Sequence, residues 1–246
     1  GRRACKFNAS DLSNANFGNG QHCLSLGFRP QGMAIAGKAT ASTSDDYIYF
    51  WRNHSRETIV KYEVDSGSRV SLANNIRRGS APGRTQSSYG IDVGPNGNVY
   101  VLYRDKKPSD QSLGLVDSDE QWKYLSHAGE FDWQFEGCPH IGGGLDVQHD
   151  GTKQRLHAVA GTGHPKYLGV HYLFSEDRGR TWSRTTQLGD DSAIHSDVAA
   201  HDDGRVVAVW DMMSDYGLAV FKAESADQGH NWSQPEQLSG KGMRAS

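Results

Sequence analysis

The stretch Ser175-Glu-Asp-Arg-Gly-Arg-Thr-Trp182 recurs later in the chain as Ser225-Ala-Asp-Gln-Gly-His-Asn-Trp232. In tight turns, Ser and Asp side chains hydrogen-bond to the backbone, Gly adopts the positive φ that the turn needs, and a closing Trp fills an apolar gap. The two aspartates, Asp177 and Asp227, are 50 residues apart. A self-similar period of this size predicts a chain built from equivalent supersecondary units.

Two weaker copies of the turn precede this pair. The segment 64–70 keeps the Asp and the Gly, and the segment 117–122 keeps the Asp and the Trp. The aspartates then fall at positions 65, 117, 177 and 227, with spacings of 52, 60 and 50 residues. The similar spacing of these four aspartates predicts four repeats.

Each repeat also contains a hairpin of apolar and alternating segments, which predicts β-strands. The hairpins cover 33–51, 90–103, 145–160 and 197–210. A third strand follows, as at 170–174 and 218–222, and a fourth comes after the turn, as at 182–188. Four antiparallel strands in each repeat make one blade of a β-propeller. The sequence therefore predicts an all-β fold.

The pattern Ser-x-Asp-x-Gly-x-Thr-Trp resembles the Asp-box, or BNR repeat, of sialidase-like β-propellers. The resemblance implies a ring that is typically six-bladed, of which four blades are visible in residues 30–246, and a scaffold role for the Asp-box turns. Residues 1–29 form an N-terminal segment. Either this segment closes a small ring, or further C-terminal blades lie outside the sequence. The need of a propeller to cover its edge strands favours the second alternative.

Composition excludes two classes of function. The net charge is -3 and no run of basic residues appears, so we expect no nucleic-acid partner. No stretch approaches the roughly 20 apolar residues of a membrane-spanning helix. We expect an exported protein, periplasmic or secreted. In that setting Cys5 and Cys23 form a disulfide; the alternative is that all three cysteines, with Cys138, are buried thiols.

In a propeller blade, the loops before the first strand and after the second open around the axis. Arg29, Arg52 and Arg104 occupy such positions and are predicted to converge on an anionic ligand, because guanidinium groups bind carboxylates through paired hydrogen bonds. Phe28-Arg29-Pro30 resembles a shortened form of the Phe/Tyr-Arg-Ile-Pro signature of sialidases, whose arginine triad holds the sialic-acid carboxylate. His140 and His195 are predicted to face the same ligand. The alternative is that the arginines make surface or inter-blade salt bridges.

Hydrolysis requires more groups than binding. The resemblance to retaining sialidases implies a Tyr nucleophile activated by Glu, together with an Asp acid/base. Asp46, Asp105 and Asp211 can each supply the acid, with Asp105 and Asp211 preferred, and Tyr89 or else Tyr103 is the candidate nucleophile. The sequence contains no recognisable Tyr-Glu pair. We therefore expect binding of an anionic or carbohydrate ligand, or of a partner protein, at the axial face. An exo-sialidase or related glycoside hydrolase is the enzyme alternative, and a structural docking subunit is another.

The segment Gly137-Cys-Pro-His-Ile-Gly142 resembles a stretch of bacterial sialidase-like repeat proteins of unassigned function. Cys and His side chains are ligands for Zn or Cu. We predict a metal site formed by Cys138, His140 and His164, although the binding function itself requires no cofactor. The alternative is that these residues are structural.

Overall fold

The computed structural model describes residues 2–6, 22–26, 32–36, 47–52, 58–63, 69–73, 87–105, 110–116, 122–135, 141–149, 151 and 153–240. The chain divides into two compact units, Gly1–Ile76 and Arg77–Ser246. The described residues form 18 β-strands. No helix among them has the length and apolar character needed to cross a membrane.

The first unit contains a two-stranded ribbon and one four-stranded antiparallel sheet, blade 1. In the ribbon, the register places Cys5 directly opposite Cys23, which suits the predicted disulfide. The strands of the ribbon are β1 Arg2–Lys6 and β2 His22–Leu26, and those of blade 1, in spatial order, are β3 Gly32–Ala36, β4 Tyr47–Arg52, β5 Thr58–Glu63 and β6 Arg69–Ala73.

The second unit contains three more four-stranded antiparallel sheets, in which spatial order follows chain order. Blade 2 consists of β7 Ser87–Val93, β8 Val99–Arg104, β9 Gln111–Val116 and β10 Trp122–Ala128. Blade 3 consists of β11 Gly143–His149, β12 Gln154–Thr162, β13 Gly169–Ser175 and β14 Thr186–Leu188. Blade 4 consists of β15 Ile194–Ala200, β16 Val206–Ser214, β17 Gly217–Ser225 and β18 Glu236–Gln237. The predicted four-stranded repeats are thereby confirmed.

The apolar cores of the second unit lie between neighbouring blades. One cluster joins blade 2 to blade 3 through residues such as Leu102, Leu113 and Leu156. Another joins blade 3 to blade 4 through Tyr172 and Trp210. The strand β8 is buried along its whole length. Face-to-face packing of sheets therefore buries the apolar side chains of this unit.

The first strands of the three blades, β7, β11 and β15, lie beside one another. Glycines permit this close approach. A Cβ added at Gly90 would overlap the backbone of Leu145, and one added at Gly144 would overlap Asp197. Larger residues at these two positions would force the strands apart, so the glycines fix the spacing of the inner strands.

The turns 175–182 and 225–232, called the duplicated turns below, share one hydrogen-bond pattern. The Ser175 hydroxyl donates to Asp177 at 2.8 Å and accepts the amide of Gly179 at 2.8 Å. Asp177 in turn accepts the amide and the hydroxyl of Thr181, at 2.8 and 2.7 Å. The second turn repeats these bonds, with Asn231 in the place of Thr181.

As expected, both duplicated turns join the third strand of a blade to its fourth. Two details differ from the sequence prediction. Trp182 and Trp232 are only partly buried. The fourth strand of blade 3 is only three residues long, because the preceding Ser183 hydroxyl takes the amide of Phe174 at 3.0 Å.

Candidate functional site

Several predicted site residues lie outside what the structure describes. Arg29, Cys138 and His140 are outside the described residues. The backbones of Arg52 and Tyr89 lie in β4 and β7, but their side chains are outside the described part. The arginine cluster, the tyrosine nucleophile and the metal site therefore stay predictions. The described residues contain no group of three or more His, Cys, Asp or Glu that could hold a metal ion.

Arg104 corrects the expectation that it points into an open cleft. Its side chain is fully buried. The guanidinium donates to the carbonyl oxygens of Ile141 at 2.6 Å and Gly161 at 2.9 Å, and it lies 4.8 Å from the ring centre of Trp133. These contacts join blade 2 to blade 3. Arg104 therefore links the two blades through carbonyl oxygens, whereas the alternative from the sequence was a surface or inter-blade salt bridge.

Asp105 and His164 are each engaged locally. Asp105 is 6% exposed and accepts a bond of 3.4 Å from the buried hydroxyl of Ser112. His164 Nδ1 accepts the amide of Lys166 at 3.1 Å, inside the turn that precedes β13. That nitrogen is used by the protein itself, which leaves only Nε2 of His164 for a metal.

Two predicted residues, His195 and Asp211, meet at the start of blade 4. His195 Nδ1 lies 3.0 Å from Oδ2 of Asp211. The register between β15 and β16 shifts between Ile194 and Asp197, so His195 sits in a β-bulge. Its φ is +44°, a left-handed conformation that costs an L-residue other than Gly about 1–2 kcal/mol.

The side chains of the His195–Asp211 pair are accessible to solvent. The His195 side chain is 48% exposed and that of Asp211 is 16% exposed. Because an ionised carboxylate only accepts hydrogen bonds, Nδ1 of His195 carries a proton. The neutral ring then has Nε2 as an exposed acceptor, and the protonated ring has it as a donor. A bulge aims the ring, and Asp211 holds its orientation.

A row of aspartates on the first strands was missed by the sequence prediction. Asp92, Asp146 and Asp197 each precede a valine, and their spacings are 54 and 51 residues. Burial, and secondarily the charge of Asp146, raises the pKa of Asp92 to about 6. Burial also raises the pKa of Asp146, despite a 3.0 Å bond from the amide of Ala200 in the next blade. The repeated Asp-Val pair was the signal that could have found them.

A buried polar network centred on blade 3 was also missed. His157 lies fully buried, with Nδ1 2.7 Å from the Tyr172 hydroxyl and Nε2 3.1 Å from the Gln148 side chain. Gln148 continues the network by donating to the carbonyl of His201. Burial, aided by the charge of Arg155, lowers the pKa of His157 to about 3. The ring is neutral at physiological pH and serves the scaffold.

Sequence comparison gives little beyond the fold. No family model matches the chain. A segment of 105 residues is 31% identical to the ciliary WD repeat-containing protein ctxp80 of Euplotoides octocarinatus, a match that covers 41% of this chain. The chain spans only 14% of the ciliary protein.

Solved structures with the same fold are more numerous. Hydrazine synthase of Kuenenia stuttgartiensis matches 90% of this chain with a TM-score of 0.59 at 10% identity. The fucose-specific lectin of Aleuria aurantia matches 87% with a TM-score of 0.54 at 14% identity. The endo-arabinase of Bacteroides thetaiotaomicron matches 87% with a TM-score of 0.52 at 16% identity. The chain spans 58%, 62% and 82% of these structures, respectively.

At these identities the likeness concerns the fold alone. Another structure of the Aleuria lectin, described as a six-bladed β-propeller, matches with a TM-score of 0.52. Together with the four-stranded antiparallel blades, these matches identify the fold. The chain is an all-β protein with the β-propeller fold.

Proposed function

We propose that this propeller binds a carbohydrate at the end of blade 4 where His195 and Asp211 meet. The observation that carries the proposal is the exposed imidazole of His195. Its backbone has a positive φ, and its ring is paired with the carboxylate of Asp211. Strained, solvent-facing polar residues cluster at functional sites, because a purely structural position would have relaxed to a less costly residue. Blades 2 and 3 have glycine at the corresponding position, two residues before the Asp-Val pair, but neither glycine has a positive φ, so the left-handed conformation is specific to blade 4 among these three blades.

The hydrogen-bond donors and acceptors of the His195–Asp211 pair suit sugar hydroxyls. Each hydroxyl both donates and accepts, so it can donate to Asp211 while a second hydroxyl bonds Nε2 of His195. A carboxylate at this point disfavours an anionic ligand, since two negative charges would repel. The pair therefore favours a neutral sugar over the sialic-acid carboxylate that the sequence resemblance implied.

The fold neighbours give general support. They include a lectin described as fucose-specific and an endo-arabinase, so propellers of this shape serve carbohydrate chemistry. The sialidase-like relationship, the extracytoplasmic location, the ligand-binding roles of Arg29 and Arg52, and the Zn or Cu site remain our predictions from the sequence. Hydrolysis is the alternative outcome of the binding experiment below.

The test uses the purified 246-residue chain on an array of neutral and acidic glycans, followed by titration calorimetry with the strongest neutral ligand. We expect His195→Ala and Asp211→Asn each to weaken binding about tenfold, the equivalent of one good hydrogen bond to a charged group. His201 and Asp203 provide a matched control, because they form a second exposed His–Asp pair, at 3.6 Å, in the turn that joins the other ends of β15 and β16.

If the variants of His201 and Asp203 lost as much affinity as those of His195 and Asp211, the site would be refuted. The absence of binding to any neutral glycan would refute it as well. Release of reducing sugar during the titration would show a glycoside hydrolase instead of a lectin. In that case Asp211→Asn should abolish the release.

A further inference from the structure

An open groove of about 740 Å³ runs between blade 2 and blade 3, away from the His195–Asp211 pair. One wall belongs to β10 and the turn after it, with Tyr124, His127 and Glu130. The other wall is the end of the first duplicated turn and the segment after it, with Arg180, Trp182 and Arg184. This volume is within the range of small-molecule sites, roughly 300–1,000 Å³.

The seam beneath the groove is fixed by hydrogen bonds. The hydroxyl of Ser126 on β10 donates to the carbonyl of Gly179 in blade 3 at 2.5 Å. The indole nitrogen of Trp182 donates to the same Ser126 oxygen at 2.9 Å. The Trp182 ring also packs against the apolar core between the blades. The aromatic wall is therefore held in place before any ligand arrives, which reduces the entropic cost of binding.

The charged groups of the groove are largely unengaged. Within the described part of the chain, the side chains of Glu130 and Arg184 form no hydrogen bond or ion pair. The Arg180 guanidinium makes one long bond, 3.4 Å, to the carbonyl of Asp177. Two arginines, Arg180 and Arg184, and one acidic residue, Glu130, thus line the groove. Tyr124 is 37% exposed beside them, and its ring lies 5.8 Å from that of His127.

We propose that this groove is a second saccharide site, specific for an acidic sugar that bears a carboxylate or a sulfate ester. The guanidinium donors of the two lining arginines match the planar oxygens of such groups. The exposed ring of Tyr124 and the partly buried ring of Trp182 supply apolar surface for the face of a pyranose ring, and Glu130 can accept a sugar hydroxyl. The site depends on different residues from the neutral-sugar site and stands without it.

The test measures binding of the full chain to three immobilised polymers by biolayer interferometry at 150 mM salt: heparin, polygalacturonate and neutral dextran. We expect binding to heparin or polygalacturonate and at least tenfold weaker binding to dextran. Arg184→Gln and Arg180→Gln should each reduce affinity for the acidic polymer about tenfold, and Tyr124→Ala should reduce it severalfold. Binding to heparin alone would assign a sulfate ester, and binding to polygalacturonate a carboxylate.

Arg178 is the matched control. It lies in the same duplicated turn but outside the groove, and the other turn has Gln228 in its place with nearly the same φ, +61° against +63°. Arg178→Gln therefore removes the same charge without harm to the turn, and it should leave the affinity within twofold. An equal loss from Arg178→Gln and Arg184→Gln would reduce the effect to general electrostatic attraction and overturn the proposal. So would equal binding to dextran, or no binding to either acidic polymer.

The variant His195→Ala separates the two proposals. It should weaken neutral-sugar binding about tenfold and leave binding to the acidic polymer unchanged. Loss of both activities in this variant would contradict the assignment of the groove as an independent site.

Discussion

Oδ2 of Asp92 accepts the backbone amide of Val147 at 2.6 Å, and this bond joins the first strands of two neighbouring blades. Its Oδ1 accepts the amide of Val93 at 2.8 Å. The same device recurs one blade later, where Asp146 accepts the amide of Ala200 at 3.0 Å. Side-chain carboxylates thus satisfy backbone donors between sheets that share no strand ladder, which a buried amide requires.

The carboxyl group of Asp92, which links two first strands, should make the free energy of unfolding depend on pH. Its pKa is about 6 in the folded protein, against an ordinary value of 3.8, because burial disfavours the charge. Between these values the folded state binds more protons than the unfolded state, so stability rises as the pH falls. Relative to Asp92→Asn, the free energy of unfolding of the wild type should rise by about 1 kcal/mol from pH 7 to pH 5. Urea denaturation at both pH values measures it, and a constant difference between the proteins would contradict the prediction.

His157 should act in the opposite direction. Its pKa is about 3 in the folded protein, against 6.5 ordinarily, so the unfolded state binds the proton first as the pH falls. The wild type should lose about 2 kcal/mol relative to His157→Gln between pH 7 and pH 5. The same denaturation series provides the measurement. If the two proteins respond to pH in parallel, the ring is not held neutral in the core.

The strain at His195 predicts an inverted preference between Gly and Ala. Ala normally stabilises a protein relative to Gly by restricting the unfolded chain, but a φ of +44° penalises every side chain with a Cβ. His195→Gly should therefore be about 1 kcal/mol more stable than His195→Ala. Both variants should lose neutral-sugar binding equally. Thermal unfolding compares them, and greater stability of the Ala variant would show that the bulge relaxes.

Gly229 should be intolerant of any side chain. Its φ is +88°, and an added Cβ would overlap the Tyr172 hydroxyl. Gly97 has a similar φ, +80°, with nothing within 4 Å of an added Cβ. Gly97→Ala should therefore cost only the backbone strain, about 1 kcal/mol, whereas Gly229→Ala should cost at least 2 kcal/mol more through overpacking. Chemical denaturation of both variants gives the difference, and similar losses would show that Tyr172 moves aside at little cost.

The strands and turns that recur along the chain could be predicted from the sequence because their causes are local. The strands at 169–175 and 217–225 extend the predicted segments 170–174 and 218–222 by one to three residues at each end. The hydrogen bonds that the Ser and Asp side chains make within each duplicated turn connect residues at most four apart, as at Asp177 and Thr181, so the sequence contains both partners. Alternation and turn chemistry act over a few residues, and the number and order of the strands follow from them.

The candidate site was only partly predictable. His195 and Asp211 were both singled out by their positions beside strand ends, but their contact depends on a bulge that no pattern in the sequence indicates. Trp182 was assigned to the scaffold, and its place in a groove depends on β10 of the preceding blade. Both results arise where two elements meet, and a propensity argument covers only one element at a time.

The sequence by itself determined the repeat, the strands and the turns of this protein. The tertiary structure alone decided which charged side chains are buried and which line an open groove. Arg104 has the same position in its blade that a ligand-binding arginine would have, yet the carbonyls of Ile141 and Gly161 in the next blade bury it. Arg184 sits in an unremarkable polar segment, yet its guanidinium borders an open groove. Desolvation and partner geometry set the role of a charged side chain, and both are properties of the packed blades.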